Sequence, residues 1–211
     1  MKRYGALFDL DGVLIDSEGT YTRFWQGVED IYPTGVENFA IAIKGTTLES
    51  ILNHYPDEAV RTDIVRRLQE FQNRMDYPLY PGVQEFLQQL IDAGFRTAIV
   101  TSSDPSKMER LWEKQPGLKQ YFMTVIDGRQ VSRSKPDPEG YLKAAAAVGC
   151  DPKDCFVFED SMQGLKAGRA SGAKVIGVAT TYPADTVGPL ADVVVDNVAE
   201  LTPQRLLDLM N

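Results

Sequence analysis

Two aspartates, Asp9 and Asp11, stand at the end of the first apolar run of the chain, directly before Gly12. Residues 4–10 are mostly apolar or small, as in a buried parallel strand, and residues i and i+2 of an extended chain point to the same side. The two carboxylates can therefore share one site, and Gly12 allows a sharp turn through positive φ where a ligand approaches closely. Taken alone, the same pattern fits a charged turn after a strand, so later polar residues must decide between the two interpretations.

Other polar side chains follow later apolar runs, at the points where further strands are predicted to end. They are Thr101-Ser102-Ser103 after residues 95–100, Lys135 in the loop after the third predicted strand, and Glu159-Asp160 after residues 155–158. In a doubly wound parallel sheet, ligands bind beyond the carboxyl ends of the strands. We therefore expect two groups of carboxylates, a group of hydroxyls and a lysine to meet at one edge of such a sheet.

This combination of side chains suits the transfer of a phosphoryl group. Mg²⁺ prefers oxygen ligands, usually carboxylates together with water and substrate phosphate, and Asp9 with Asp160 can supply them. The Thr101 hydroxyl, the backbone N–H groups of Ser102-Ser103 and the Lys135 ammonium can bind the oxygens of a phosphate. An aspartate can act as the nucleophile through an aspartyl-phosphate, and a second aspartate can then handle protons.

Alternating strands and helices are predicted to position these residues from residue 79 onward. Strands are predicted over residues 95–100, 122–126, 155–158, 174–178 and 192–195, and the strand at residues 4–9 completes the sheet. Cap and proline signals such as Asp104-Pro105 and Thr202-Pro203 begin the intervening helices, and glycines such as Gly94 end them. The pattern predicts an α/β fold with a doubly wound parallel sheet and right-handed crossovers.

A segment with a different spacing of apolar residues separates the first strand from the rest of the predicted sheet. Apolar residues recur at helical spacing along residues 17–77, interrupted by a loop at Lys44-Gly45, and the proline-containing segment 77–82 marks the return of the chain. We therefore predict an α/β catalytic core formed by residues 1–16 and 79–211. An all-helical cap over residues 17–78 is predicted to be inserted after the first strand.

Composition and charge narrow the functional classes. The chain has 211 residues, 43% of them hydrophobic, and its formal net charge of -8 opposes a nucleic-acid-binding role, because such proteins present a basic face. No apolar run approaches the roughly 18 residues of a membrane span, the N-terminus shows no secretion signal, and two cysteines give no disulfide framework. We expect a soluble cytoplasmic protein, monomeric or dimeric, that binds neither nucleic acid nor membrane.

Four segments of the sequence resemble the motifs of the haloacid dehalogenase-like superfamily, in order and in spacing. They are Phe8-Asp9-Leu10-Asp11-Gly12-Val13, Val100-Thr101-Ser102, Ser134-Lys135-Pro136-Asp137-Pro138, and Phe158-Glu159-Asp160-Ser161 with Gly164. Each motif is weak alone, whereas four in order at predicted strand ends are highly specific. The resemblance implies the Rossmann-like core of that superfamily. The helical insertion is similar to the cap of the subgroup that contains sugar-phosphate phosphatases and β-phosphoglucomutase.

The resemblance also implies a role for each matched residue. Asp9 would be the nucleophile and a Mg²⁺ ligand, and Asp11 would be the general acid/base and a ligand through its backbone carbonyl. Asp160 would be a further Mg²⁺ ligand, with Glu159 supporting the site from behind or lending a ligand through water. The phosphoryl group would be held by Thr101, Ser102 and Lys135.

The cap decides between a phosphatase and a mutase. Lys44-Gly45 matches the mutase loop, but Tyr21 falls where mutases resemble one another in having His, and Leu48 lies near the place of an Arg that would grip a second phosphate. Because leucine cannot replace a bidentate guanidinium, we favour Mg²⁺-dependent hydrolysis of a small phosphorylated metabolite, a sugar phosphate or similar ester, over a mutase reaction. Aspartate at position 11 favours phosphoryl chemistry over dehalogenation, since a departing alcohol needs a proton carrier.

Candidate specificity residues in the cap are polar and lie near the predicted site. They are Glu18, Tyr21, Lys44, Thr46 and Thr47. A structural role for Tyr21 and a solvent-facing position for Glu18 are equally compatible with the sequence.

A phosphoacceptor signalling module, or a silent binding protein, is the alternative from a different class. Receiver domains also place aspartates and a lysine at the carboxyl edge of a doubly wound sheet. Such modules leave the site open, whereas an inserted cap excludes water and selects the substrate, which favours an enzyme. Sustained release of phosphate in turnover would exclude the signalling interpretation.

Overall fold

The computed structural model describes residues 3–210 and contains one sheet of six parallel strands. The strands are β1 (Gly5–Phe8), β2 (Arg96–Val100), β3 (Thr124–Ile126), β4 (Cys155–Glu159), β5 (Lys174–Val178) and β6 (Val193–Val195). Their order in the sheet is β3-β2-β1-β4-β5-β6, so the chain winds outward from the central β1 in both directions. The predicted doubly wound α/β fold is therefore confirmed, with β3 and β6 shorter than the predicted strands at residues 122–126 and 192–195.

Helices connect the strands and form the insertion. The α-helices of the described residues are α1 (Glu18–Ile31), α2 (Phe39–Ala42), α3 (Leu48–Leu52), α4 (Glu58–Arg74), α5 (Val83–Asp92), α6 (Pro105–Lys114), α7 (Glu139–Ala147), α8 (Met162–Ser171), α9 (Ala184–Val187) and α10 (Pro203–Asp208). Side-chain caps explain several of their starts: Asp104 accepts from the backbone N–H of Ser106, and Ser161 accepts from that of Gly164. Within residues 3–210, no helix combines the length and the apolar character needed to cross a membrane.

Both faces of the sheet are covered, because side chains alternate along each buried strand. On β1, Ala6 and Phe8 belong to one apolar cluster, whereas Leu7 belongs to a second cluster with residues of β2, β4 and α7. Phe8 stacks on Phe158 of the neighbouring strand, with ring centroids 4.2 Å apart. This packing fixes β1 at the centre of the core, directly below the first pair of aspartates.

The insertion is helical throughout its regular elements and has an apolar cluster of its own. Helices α1–α4 bury Trp25, Val28, Ile64 and Leu68 against one another, in a cluster separate from those that cover the sheet. The two linkers to the core lie side by side, because Ile15 pairs with Leu79 and the Asp16 N–H donates to the Pro78 carbonyl at 2.8 Å. The boundaries of the cap at residues 17 and 78 stay predictions.

Candidate active site

The polar residues of the predicted site meet at the carboxyl edge of the three central strands. Asp9 follows β1, Thr101 follows β2, Glu159 ends β4 and Asp160 follows it. The strands β2, β1 and β4 are adjacent and parallel, so their carboxyl ends point the same way, and the Asp9 N–H donates to the Phe158 carbonyl at 2.9 Å. The sheet topology thus brings together residues that are up to about 150 positions apart in the chain.

Lys135 is buried at the centre of this edge and bridges two carboxylates. Its Nζ lies 2.6 Å from Asp9 Oδ1 and 2.5 Å from Glu159 Oε1, and it also donates to the Val100 carbonyl at 3.2 Å. Glu159 is fully buried and accepts a further hydrogen bond at 2.6 Å from the hydroxyl of Tyr141. Burial opposes the charged form of Lys135, but attraction to Asp9 and Glu159 outweighs it and raises the lysine pKa.

Three buried carboxylates, those of Asp9, Glu159 and Asp160, face one another, and one oxygen from each lies within 4.8 Å of the others. Burial raises the pKa of Asp9 to about 8, with repulsion from Glu159 and Asp11 adding to the effect and Lys135 opposing it. Burial, with repulsion from Glu18 and Asp9, raises the pKa of Asp160 well above its usual range. A group of buried oxygen ligands with excess negative charge fits a hard divalent cation such as Mg²⁺.

Asp11 has different surroundings from Asp9, although only one residue separates them. Its carboxylate accepts hydrogen bonds from the hydroxyls of Ser17 and Ser103 and from the ammonium of Lys107. Burial alone would raise the pKa of Asp11, but attraction to Lys107 outweighs it and holds the pKa below its ordinary value. The surroundings thus favour the neutral form of Asp9 and the charged form of Asp11, so Asp9 can act as a carboxylate only where a bound cation offsets its burial.

Two glycines allow the backbone to approach the carboxylates closely. Gly12 has a φ of +75°, and a Cβ atom at this position would lie 2.0 Å from Asp160 Oδ2. A Cβ atom at Gly164, in the first turn of α8, would lie 1.8 Å from Glu159 Oε1. No side chain fits at either position without displacing a carboxylate. This close approach explains why glycine stands at both positions of the motifs.

The hydroxyl residues after β2 are used in two ways. The Thr101 hydroxyl donates to Ser103 Oγ at 3.0 Å and accepts from the Ser103 N–H at 3.1 Å, and the Ser103 hydroxyl in turn donates to Asp11. The Ser102 hydroxyl instead donates to the Gly45 carbonyl at 2.9 Å, in the cap. Ser102 therefore joins the cap to the core through its side chain, and only its backbone N–H is left to bind a phosphate in the predicted way.

A cavity of about 110 Å³ lies between the cap and this edge of the sheet. Asp9, Asp11 and Thr101 line it from the core, and Glu18, Tyr21, Lys44 and Thr46 are among the cap residues that line it. Lys44 and Glu18 form an ion pair in which the glutamate side chain is only 16% exposed, so Glu18 does not face solvent. The site is thus built from both parts of the chain.

Three of the predicted specificity residues also make hydrogen bonds within the cap. Thr47 caps α3 by accepting from the Ser50 N–H at 3.3 Å and does not line the cavity, whereas the Thr46 hydroxyl donates to the Ile43 carbonyl at 2.6 Å. The Tyr21 hydroxyl accepts from Gln72 Nε2 at 3.2 Å. Of the five predicted specificity residues, Thr47 is therefore the one that the structure places outside the cavity.

Lys107 is a site residue that the sequence interpretation did not include. It lies in α6, is only 3% exposed, and its Nζ sits 4.3 Å from the centroid of the Tyr21 ring as well as against Asp11. Burial opposes its charge, but attraction to Asp11 outweighs it and raises the pKa of Lys107. In the sequence, its burial is indicated by its spacing of four residues from Leu111, which lies on the buried face of α6.

Buried carboxylates, a lysine and hydroxyls lie at the carboxyl edge of a parallel sheet, under a helical insertion. This arrangement is typical of a class of α/β enzymes that act on phosphate groups. The model of the family described as haloacid dehalogenase-like hydrolase matches residues 5–172. The chain belongs to this family, as the four sequence motifs predicted.

Relatives and solved structures agree with this assignment. Hexitol phosphatase A of Escherichia coli (strain K12) is 32% identical over 88% of this chain and 87% of its own length. The bifunctional riboflavin kinase/FMN phosphatase of Arabidopsis thaliana is 29% identical over 95% of this chain, which spans 55% of that relative. The crystal structure of β-phosphoglucomutase from Clostridium difficile has the same fold, with a TM-score of 0.82 at 20% identity, covering 99% of this chain and 97% of that one. The prediction of an enzyme of this family, with relatives named as phosphatases, is confirmed.

Proposed function

We propose that the protein is a Mg²⁺-dependent phosphatase that hydrolyses a small phosphorylated metabolite, a sugar phosphate or a similar ester, through an aspartyl-phosphate on Asp9. The observation that carries this proposal is the position of Asp9, which contacts Lys135, belongs to the carboxylate cluster with Asp160, and lines the cavity under the cap. The resemblance to hexitol phosphatase A supports the same reaction class. A cytoplasmic location and a monomeric or dimeric state stay predictions.

The two aspartates share the chemical steps. The Asp9 carboxylate attacks phosphorus, the bond between phosphorus and the ester oxygen breaks, and Asp11 gives a proton to the departing alcohol. Water then attacks the phosphorus of phospho-Asp9 while Asp11 takes its proton, the bond between phosphorus and the Asp9 oxygen breaks, and inorganic phosphate leaves with the Asp9 carboxylate regenerated. A bound phosphate ester raises the pKa of a neighbouring carboxyl by repulsion, which makes the acid form of Asp11 accessible in the first step.

The remaining residues hold the phosphoryl group and the cation. The Thr101 hydroxyl, the Ser102 N–H and the Lys135 ammonium bind the phosphoryl oxygens, and Glu159 keeps Lys135 charged and in place. Mg²⁺ would be held by Asp9, Asp160 and the backbone carbonyl of Asp11, all of which offer the oxygen ligands that it prefers. When bound, the cation stabilises the negative charge of the transferring group.

Hydrolysis is favoured over a mutase reaction by the lining of the cavity. A mutase must also hold the second phosphate of a bisphosphate, which needs a strong anion-binding group such as a guanidinium. Leu48 and Tyr21 both line the cavity. In the sequence, Leu48 falls near the place of the Arg that the mutases share, and Tyr21 about where they have His. The part of the cavity lined by Leu48 and Tyr21 therefore suits an uncharged part of a substrate.

The proposal is tested by substituting the nucleophile. Asp9→Asn is expected to remove turnover of every ester in a Mg²⁺-containing panel of phosphorylated sugars, polyols, nucleotides and small acids, while circular dichroism shows an unchanged fold. The control is Asp185→Asn, which removes an exposed aspartate from α9 and should retain full activity. Substantial turnover by the Asp9→Asn variant would refute the nucleophile.

Product analysis separates the competing reactions. With β-glucose 1-phosphate, a phosphatase yields glucose and inorganic phosphate, whereas a mutase yields glucose 6-phosphate. Transfer of one phosphoryl group to each protein molecule, without sustained release of phosphate, would instead indicate the phosphoacceptor module.

A further inference from the structure

The lysines that line the cavity between cap and core are already paired with carboxylates. Lys44 Nζ donates to Glu18 Oε2, and Lys107 Nζ donates to Asp11 Oδ2. Lys135, at the edge of the sheet below, bridges Asp9 and Glu159. Over residues 3–210, the side chains that line the cavity include no arginine. A second anionic group on the substrate would therefore find no unpaired cation there.

Further carboxylates lie beside these pairs in the lining of the cavity. Asp104 lines the cavity, and its carboxylate is committed to the start of α6, where it accepts from the Ser106 N–H at 2.8 Å and the Lys107 N–H at 3.2 Å. Glu18 and Asp160 line the same cavity and both lie against Gly12, where a Cβ atom would be 3.0 Å from Glu18 Cγ and 2.0 Å from Asp160 Oδ2. An anionic group that enters this space loses its water beside carboxylates, which is costly without a matching cation.

The cap also supplies apolar side chains to the lining of the cavity. The apolar side chains that line it include Trp25, Ile43, Leu48, Ile51 and Leu68. The cavity volume of about 110 Å³ is smaller than the roughly 150 Å³ that accommodates a benzene molecule in a protein core. Together, the size and the mixed lining favour a small leaving group with an apolar part and hydroxyl groups.

We infer that the substrate is the monophosphate ester of a small alcohol that carries no second charge, and that Glu18 is a specificity-determining residue that enforces this choice. Glu18 does so by occupying the ammonium of Lys44, which would otherwise attract carboxylates and second phosphates into the cavity. This inference rests on the proposed phosphatase function and specifies what the cap admits.

The inference is tested with two esters of nearly equal size, glycerol 3-phosphate and 3-phosphoglycerate, which differ in the charge of the leaving group. With Mg²⁺ present, kcat/KM of the wild-type enzyme is expected to be at least about 100-fold higher for glycerol 3-phosphate. Glu18→Gln should reduce this ratio about tenfold or more, because the released Lys44 ammonium attracts the carboxylate of 3-phosphoglycerate, a gain that a merely structural role would not produce.

Two further variants separate charge from general damage. The double variant Glu18→Gln with Lys44→Met removes the released ammonium again and should restore the wild-type ratio. Glu49→Gln removes an exposed glutamate of α3 that does not line the cavity, and its ratio should equal that of the wild type. If Glu18→Gln does not fold, Lys44→Met alone tests the role of the pair: it leaves the Glu18 carboxylate unpaired and should raise the preference for the uncharged ester, and an unchanged preference would contradict the role of the pair.

The outcomes for the inference and for the proposed function are distinguishable. Measurable and equal kcat/KM for the two esters would overturn the inference and leave the phosphatase standing. An unchanged ratio in folded Glu18→Gln protein would overturn the role of Glu18. Absence of turnover on every ester of the full panel, these two included, would overturn both the phosphatase and the inference that rests on it.

Discussion

Gly12 occupies the tightest position of the candidate site, between the turn that carries Asp11 and the carboxylate of Asp160. Its φ is +75°, and a Cβ atom there would lie 2.0 Å from Asp160 Oδ2 and 3.0 Å from Glu18 Cγ. Gly12→Ala is therefore expected to combine the cost of a left-handed backbone, about 1–2 kcal/mol, with overpacking of about 1–3 kcal/mol. Urea unfolding should show a loss of about 2–5 kcal/mol, and phosphatase activity should disappear.

Gly35 provides a matched control for this residue-scale prediction. Its φ is +76°, but a Cβ atom there would have no neighbour within 4 Å, so Gly35→Ala carries the backbone cost alone. The Gly35→Ala variant should lose only about 1–2 kcal/mol of stability and keep its activity. Equal losses at the two positions would show that the carboxylate of Asp160 yields to a methyl group and that close approach is not the reason for Gly12.

At the scale of elements, the start of α7 holds the loop that presents Lys135. The Glu139 carboxylate accepts from the Ser132 N–H at 3.0 Å and from the Arg133 N–H at 2.9 Å, and Lys143 Nζ lies 2.5 Å from Glu139 Oε1. The hydrogen bond from Lys143, followed by those from Ser132, lowers the pKa of Glu139 to about 2, against a slight opposing effect of burial. The ionised glutamate thus ties the loop to the helix.

This tie predicts a pH dependence with a defined sign. Because the folded-state pKa is depressed, Glu139 contributes its full stabilisation above the ordinary glutamate pKa and loses it as the pH falls toward about 2. The difference in unfolding free energy between wild type and Glu139→Gln should be constant above about pH 5 and should shrink below it. Glu85→Gln, an exposed glutamate in the first turn of α5, measures the general effect of removing one negative charge. A difference that grows in acid would contradict the prediction.

Local signals explain how much of these elements the sequence predicts. The Asp104-Pro105 pair predicts the start of α6, and the structure begins this helix at Pro105 with Asp104 as its cap. Apolar runs likewise predict β1, β2, β4 and β5 closely, because a buried parallel strand needs apolar residues on both faces. The carboxyl ends of these strands then follow, and with them the places of Asp9, Thr101 and Asp160.

At the scale of the whole molecule, the unpredicted features mostly depend on contacts between distant elements. Lys107 meets Asp11 across 96 positions, and Lys44 meets Glu18 across 26, so neither pairing leaves a local pattern in the sequence. The commitment of Thr47 to capping α3 is local, yet a threonine beside a predicted site is equally compatible with a ligand-binding role. The pairing of charges inside the cavity therefore becomes visible only in the folded chain and could not be predicted from the sequence.

Magnesium binding should stabilise the folded molecule as a whole, since its candidate ligands Asp9 and Asp160 come from opposite parts of the chain and meet only after folding. Free Mg²⁺ at about 100 times its dissociation constant should add about 2.7 kcal/mol, which for a chain of this length raises the melting temperature by roughly 5–10 °C. Calorimetry with and without Mg²⁺, at matched ionic strength set by KCl, measures this shift. Asp160→Asn should abolish the shift while Asp185→Asn keeps it, and an equal rise for both variants would show that the ion acts elsewhere than at the buried carboxylates.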